Sequence, residues 1–319
     1  MLTQLTASTT LPVIGSPMFI VSGPELVIAQ CQAGIIGAFP ALNARPAEVL
    51  REWLQQITNT LADYNARHPQ QPAAPFAVNQ IVHPTNDRLD HDVALCAEFE
   101  VPLIITSLHA PNRVVEQVHA YGGLVFHDVT TLRHAKKAID AGVDGLILVC
   151  HGAGGHAGRL NPFAFVSEVR QFYEGPLVLA GAISKGEQIA AAQALGVDMV
   201  YMGTRFIATQ EANAQTAYKQ MVVEAAAGDI VYTNLFTGVH GNYLRQSIEL
   251  AGLDPEALPE GDKSAMRYGS GGSSKAKAWR DIWGAGQGVG GITTLNSVAD
   301  EVATLRADYQ KSLDQLRRR

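Results

Sequence analysis

Over about the first 210 residues, short apolar runs alternate with longer stretches in which apolar residues recur at three- and four-residue steps. Eight apolar runs stand out: Leu11–Ile14, Gly34–Phe39, Phe76–Ile81, Val101–Thr106, Gly123–His127, Gly145–Cys150, Pro176–Ala180 and Met199–Met202. None has the regular polar alternation of a strand with one wet face. Each therefore predicts a strand buried on both sides, as in a parallel sheet covered by helices. Pro12 interrupts the first run, where it cannot donate to a strand ladder. Between runs, Thr131–Ala141 and Glu187–Leu195 carry helical periodicity. Each stops at a glycine, Gly142 or Gly196, where a left-handed cap is expected. Eight strand–helix units in about 210 residues match a (β/α)8 TIM barrel in number and length. A doubly wound open sheet is the alternative, and the strand count argues against it.

After the eighth run the pattern changes. Residues 212–288 mix helical stretches with a Pro-rich piece, LDPEALPEG (253–261), and a Gly/Ser-rich piece, RYGSGGSSK (267–275). This region reads as a C-terminal cap of helices and loops, with the barrel comprising residues 1–211 and 289–319. The segment Leu295–Arg319 predicts a last helix, and its Arg-Arg-Arg end reads as a solvated terminus.

Composition narrows the classes. Apolar residues make up 47% of the 319 and charged residues only 17%, against about 25% in an average chain, which implies a large closed core. The net charge of −6 is spread without long runs of one sign, so neither disorder nor a broad nucleic-acid footprint is expected. No run approaches the ~18 apolar residues of a membrane span. Met1–Thr10 has no basic residue and no signal-peptide core, so the expected setting is cytoplasmic, away from the membrane. Cys31, Cys96 and Cys150 are too far apart for a disulfide framework or a zinc site and read as buried small hydrophobes, with no metal expected.

A parallel barrel carries its chemistry at the C-terminal strand ends. Those ends supply Pro17 and Met18, Asn79 and Gln80, Ser107 and His109, His127 and Asp128, the loop His151–Gly158, Gly181 and Ala182, and Gly203 and Thr204. The last two pairs follow strands seven and eight, the usual phosphate cradle of this fold, where glycine lets backbone N–H groups approach an anion. His156, flanked by Gly155 and Ala157, is the sharpest single candidate, because an imidazole of ordinary pKa suits proton abstraction at neutral pH. His109 and His127 are second-tier pocket candidates, and His134, beside Lys136 and Lys137, reads as surface. Residues 152–157 fit the dinucleotide pattern G-x-G-x-x-A, but Arg159–Pro162 reads as a break in the chain rather than a helix start. The GQGVGG at 286–291 also fits, but no buried strand precedes it, and Lys275 has no Walker context.

The segments AGVDGLILVCHGAGGHAG (141–158), LAGAIS (179–184) and MGTRFIATQE (202–211), with SPM (16–18), VNQ (78–80) and WGAGQGVGGI (283–292), resemble the nitronate monooxygenase family, formerly 2-nitropropane dioxygenases. The resemblance implies an FMN-dependent enzyme. It implies that His156 is catalytic and that Gly181, Ala182, Gly203 and Thr204 hold the FMN phosphate. Pro17 and Met18 would lie along the isoalloxazine through backbone contacts, and Asn79 would bond the flavin. Gly154 and Gly155 would let the ring approach, and Gln287 would close the pocket. The sequence also departs from the family: Gly152 stands where many relatives carry Glu, Gly181-Ala182-Ile183 where many carry GGI, and His127-Asp128 where a basic residue is common.

The implied reaction is oxidation of an alkyl nitronate, or its parent nitroalkane, by O2 to a carbonyl compound and nitrite. An NAD(P)H-dependent flavin reductase acting on quinones or enoyl thioesters is the alternative within the same family. A flavin-free phosphate-binding barrel is the alternative outside it. The partners expected are a small-molecule substrate and O2; a homodimer is compatible with these residues but not required by them.

Overall fold

All eight apolar runs become strands of one parallel sheet in the computed structural model, which describes residues 2–262 and 282–318. The strands are β1 (Val13–Gly15), β2 (Gly37–Pro40), β3 (Phe76–Val82), β4 (Leu103–Leu108), β5 (Leu124–Val129), β6 (Gly145–Val149), β8 (Leu177–Ala180) and β9 (Met199–Met202). β7 (Gly155–His156) lies outside this sheet. Neighbours run in the order β1-β9-β8-β6-β5-β4-β3-β2. Ile36 N–H donates to Val13 O at 3.1 Å and Gly15 N–H to Ile36 O at 2.8 Å, so the first and last strands meet and the sheet curls into a (β/α)8 barrel. Pro12 sits one residue ahead of β1, where its missing N–H costs no ladder bond and its carbonyl accepts from Val200 N–H at 2.9 Å.

The absence of polar alternation now has a structural cause. Ile14, Ala77, Ile105, Phe126, Ile147, Val178 and Met199 fill the barrel interior. Their strand neighbours Val13, Val78, Ile104, Val125, Leu146, Leu177 and Val200 pack outward in the core beneath the helices. Both faces of every strand are dry, so both must be apolar.

The helices are α1 (Leu2–Leu5), α2 (Pro24–Gln32), α3 (Val49–Arg67), α4 (Leu89–Glu98), α5 (Asn112–His119), α6 (Leu132–Asp140), α7 (Pro162–Arg170), α8 (Gly186–Ala194), α9 (Thr204–Ile207), α10 (Thr216–Glu224), α11 (Arg245–Leu250) and α12 (Val298–Arg317). The two helices foreseen from periodicity are α6 and α8, followed by Gly142 at φ +83° and Gly196 at φ +99° as left-handed stops. Arg159–Pro162 does not break the chain. Asn161 caps α7, its side chain accepting from Phe163 N–H at 2.9 Å, and Pro162 occupies the first turn, where no N–H is needed. α12 packs on α8 and α2 and is anchored by the buried Arg205–Glu301 ion pair. Arg205 also donates to Gly291 O at 2.6 Å, and Asn296 Nδ2 donates to Glu301 at 2.8 Å.

Within 212–288 the described residues contain α10 and α11 but also two strands, β10 (Ile230–Thr233) and β11 (Gly241–Leu244). They pair antiparallel, and β11 pairs in turn with β7, placing Gly241 opposite His156 and Asn242 opposite Gly155. A region read as helices and loops thus supplies a small sheet to the barrel mouth. β10 (IVYT) and β11 (GNYL) are as long as β8 and β9 but mix polar residues with apolar ones, so neither stands out as an apolar run. The Gly/Ser-rich piece at 267–275 lies outside the described residues. Cys31, Cys96 and Cys150 are free and buried, each thiol pushed up to about 12 by burial. No described helix is long and apolar enough to cross a membrane.

Candidate active site

The C-terminal strand ends open into one cavity of about 1240 Å3. Its walls bring together Pro17, Met18, Asn79, Gly154, Gly155, His156, Gly181, Ala182, Gly203 and Thr204 from turns far apart in sequence. The glycine turns after β8 and β9 lie side by side, because those strands pair directly with Ala180 opposite Tyr201. Gly181 has φ +137° and Ala182 φ +53°, a left-handed step that strains a non-glycine residue. A Cβ on Gly181 would stand 2.8 Å from His151 O, and one on Gly203 would crowd Ser16 Cβ at 3.2 Å and the Met18 sulfur at 3.4 Å. Both turns are thus held to glycine by the protein atoms packed behind them, and the Ala182 N–H is spent on Gly152 O at 3.3 Å.

The loop after β1 is folded by its own hydrogen bonds. Met18 N–H donates to Ser22 Oγ at 2.9 Å, and Met18 O accepts from Ser22 N–H and Asn43 Nδ2 at 3.0 Å. The polar backbone atoms of Met18 are therefore committed within the loop, and what it offers the cavity is its side chain. Asn79 is buried with its amide hydrogens spent on Ile105 O at 3.2 Å and Ser107 Oγ at 2.9 Å. Its carbonyl oxygen remains as an acceptor.

His156 is half-buried and clamped from below by β11. Asn242 Nδ2 donates to Ala153 O at 2.6 Å, Ala157 N–H to His240 O at 3.1 Å, and Tyr232 OH to Ala157 O at 3.0 Å. Nε2 of His156 meets Thr237 Oγ1 at 3.0 Å. The single hydroxyl proton of Thr237 goes to Val239 O at 2.9 Å, while Val239 N–H donates back to Oγ1 at 3.2 Å. Nε2 is then the donor to Thr237, which leaves Nδ1 as the basic nitrogen. Burial pushes the pKa of His156 down to about 4, so the ring is neutral at pH 7.

The 284–288 turn closes over this loop. Gln287 N–H donates to Gly152 O at 2.9 Å, and Gly286 N–H donates to Thr204 Oγ1 at 2.9 Å. Gly286 and Gly288 line the cavity; Gln287 does not, and its side chain packs against Gly152 instead. His109 and His127 are also absent from the walls. His109 stacks edge-on against His83, and His127 is buried with Nδ1 on Thr106 Oγ1 at 2.8 Å. His134 is exposed, as its helix position predicted, yet it reaches the cavity rim.

Thr237, Tyr232 and His240 were not foreseen. They come from the 230–244 hairpin, and nothing local marks a threonine 81 positions away from the histidine it holds. Tyr201, also missed, had a faint signal as the aromatic hydroxyl within the apolar run Met199–Met202.

The turns after β8 and β9 and a neutral histidine share one barrel-mouth cavity, the arrangement of a barrel enzyme with its site at the C-terminal strand ends. The nitronate monooxygenase family model matches residues 2–308, and the chain belongs to that family, a family of flavin oxidoreductases. It is 28% identical to a nitronate monooxygenase of Paraburkholderia phytofirmans, over 96% of this chain and 94% of that one. Among solved structures, FabK (M276A) from Thermotoga maritima superposes with a TM-score of 0.76 at 26% identity, covering 99% and 97% of the two chains. A nitroalkane oxidase from Streptomyces ansochromogenes superposes with 0.79 at 22% identity, covering 98% and 99%, a likeness of fold.

Proposed function

We propose that this protein oxidises alkyl nitronates with O2 on a bound FMN, giving a carbonyl compound and nitrite. The observation that carries this reading is the neutral His156 imidazole, fixed by β11 and Thr237, on the same cavity as the Gly181 and Gly203 turns. Gly181, Ala182, Gly203 and Thr204 would hold the phosphate at the paired ends of β8 and β9 on this cavity. Asn79 would accept from an N–H of the ring through its carbonyl oxygen, and Gly155, with open space at its Cβ position, would leave room for a planar ligand beside the histidine, while Gly154 makes room for the Gly286 turn. The flavin supplies electron transfer from substrate to O2. The chain's own residues bind, orient and move a proton. A nitronate is already an anion and needs no proton removed. A neutral nitroalkane must first lose its α-proton, and a neutral imidazole can take it.

A second reading, an NAD(P)H-dependent reductase of quinones or enoyl thioesters, is favoured by cavity size: about 1240 Å3 exceeds the roughly 300–1,000 Å3 of ordinary small-ligand sites. One set of measurements separates the readings. We expect purified protein with FMN to show a flavin absorption band, to release nitrite from ethylnitronate or propionate 3-nitronate, and not to be bleached by NADH without oxygen. His156→Asn should keep its flavin and lose turnover of neutral nitroalkanes far more than of preformed nitronates. A colourless protein that refuses FMN, or a yellow one that makes no nitrite, overturns the proposal.

A further inference from the structure

Left-handed backbone costs glycine little and costs a residue with a Cβ more, most of all a β-branched one. Among the described residues, the non-glycine positions of positive φ are Ile20 at +67°, Glu100 at +46°, Leu108 at +82° and Ala182 at +53°. All but Glu100 line the cavity. Such conformations persist only where the surroundings over-determine them. At Ile20 two asparagine side chains do this: Asn43 Oδ1 accepts from Ile20 N–H at 3.0 Å, and Asn213 Nδ2 donates to Ile20 O at 3.0 Å. Leu108 ends β4, and the next residue is tied down by His109 N–H donating to Val82 O at 3.1 Å.

This strain is not repaid by packing inside the chain. Ile20 and Leu108 are each 40% exposed, and neither joins the hydrophobic core. Around the mouth, Leu42 after β2 and Ile81 near the end of β3 lie between them on the same cavity, so the ends of β1 to β4 present an apolar arc. Arg45 on this side is turned aside: its Nε donates to Leu42 O at 2.8 Å and its guanidinium lies 5.5 Å over the Phe19 ring. The walls after β5 and around β7 are polar instead, with Thr130, Thr131, Arg133, Arg159 and His240. The two sides of the mouth therefore sort a ligand by polarity, and its apolar part gains most by leaving water on the β1–β4 side.

We propose that Ile20 and Leu108 form a subsite for the apolar tail of the substrate, so that the protein selects nitronates with an alkyl chain of several carbons over those with one or two. This names the substrate class within the nitronate reading above and rests on it. The two hydrogen bonds on Ile20 fix its backbone before substrate arrives. Binding then orders little more of the protein, and the methylenes buried count almost in full.

Ile20→Gly removes the side chain and its strain together, and Leu108→Gly does the same at the second position. Nitrite release is followed for ethyl-, butyl- and hexylnitronate on preparations matched for FMN content. In wild type, kcat/KM should rise by roughly two- to fourfold per added methylene. Each variant should lower the hexyl-to-ethyl ratio by roughly 4- to 16-fold, the worth of one to two buried methylenes. Binding is read separately by calorimetry with propanoate and hexanoate, unreactive anions whose carboxylate matches the nitronate group in shape. Wild type should favour hexanoate, and the variants should narrow that preference. Ile20→Gly should melt within about 3 °C of wild type, relief of strain offsetting the packing lost. An unchanged hexyl-to-ethyl ratio in Ile20→Gly overturns the proposal, and so does a far larger fall in Tm, which would assign the side chain to holding its own loop. That variant suffices if Leu108→Gly does not fold. If hexanoate is favoured through Ile20 and no nitronate yields nitrite, the nitronate reading falls and the apolar subsite stands.

Discussion

Replacing Thr237 with valine removes the hydroxyl that meets His156 Nε2 at 3.0 Å while nearly preserving side-chain shape. The hydroxyl also joins Val239 O and Val239 N–H at 2.9 and 3.2 Å, so its loss loosens the 237–239 turn as well. A neutral hydrogen bond contributes about 0.5–1.5 kcal/mol, and stranding a buried donor costs about 1–3 kcal/mol. Realised wholly in the transition state, a loss of about 1–3 kcal/mol lowers kcat/KM by roughly 5- to 150-fold. The loss should fall on kcat for neutral nitroalkanes, because proton removal needs the ring in one orientation and one tautomer, and should be smaller for preformed nitronates. Steady-state nitrite release from both substrate forms, on preparations matched for FMN content, reads this directly. Thr237→Ser restores the hydroxyl and should recover most of the rate. An unchanged kcat/KM in the valine variant, or a serine variant as impaired as the valine one, would refute the assignment of Thr237 as the residue that positions His156.

Two further outcomes follow from packing and burial. A Cβ on Gly286 would stand 2.5 Å from Gly152 O and 2.8 Å from Gly154 N, so Gly286→Ala should push the closing turn off the histidine loop. An overpacking cost of about 1–3 kcal/mol should weaken FMN binding by roughly one to two orders of magnitude, and unchanged affinity in a fluorescence titration would contradict it. Burial pushes His127 down to about 4 from its ordinary 6.5, so the unfolded chain takes up a proton at higher pH than the folded one. This contribution to stability is intact above about 6.5 and is lost as pH falls toward about 4, by on the order of 3 kcal/mol. His127→Gln should flatten the fall of Tm across that window, and an equally steep fall would show that the histidine is not responsible.

The strands were legible because each must be apolar on both faces, a requirement written residue by residue into runs such as Leu103–Ile105 and Leu146–Leu148. Gly142 and Gly196 marked helix ends for an equally local reason, the left-handed φ that follows α6 and α8. Gly181 and Gly203 could be placed at strand ends, and the barrel then had to set them side by side, since β8 pairs with β9. Other features have no local signature. β10 and β11 mix polar with apolar residues and show no apolar run, and their pairing with β7 exists only once the barrel has brought residues 155 and 242 together. The same holds for the Thr237 hydroxyl on His156 and for the Ser107–Asp128 bond across neighbouring strands. Periodicity and caps act over one turn or one strand, so the chain itself determined them. Which proton each polar group has left to give depends on partners distant in sequence, and packing alone decides that.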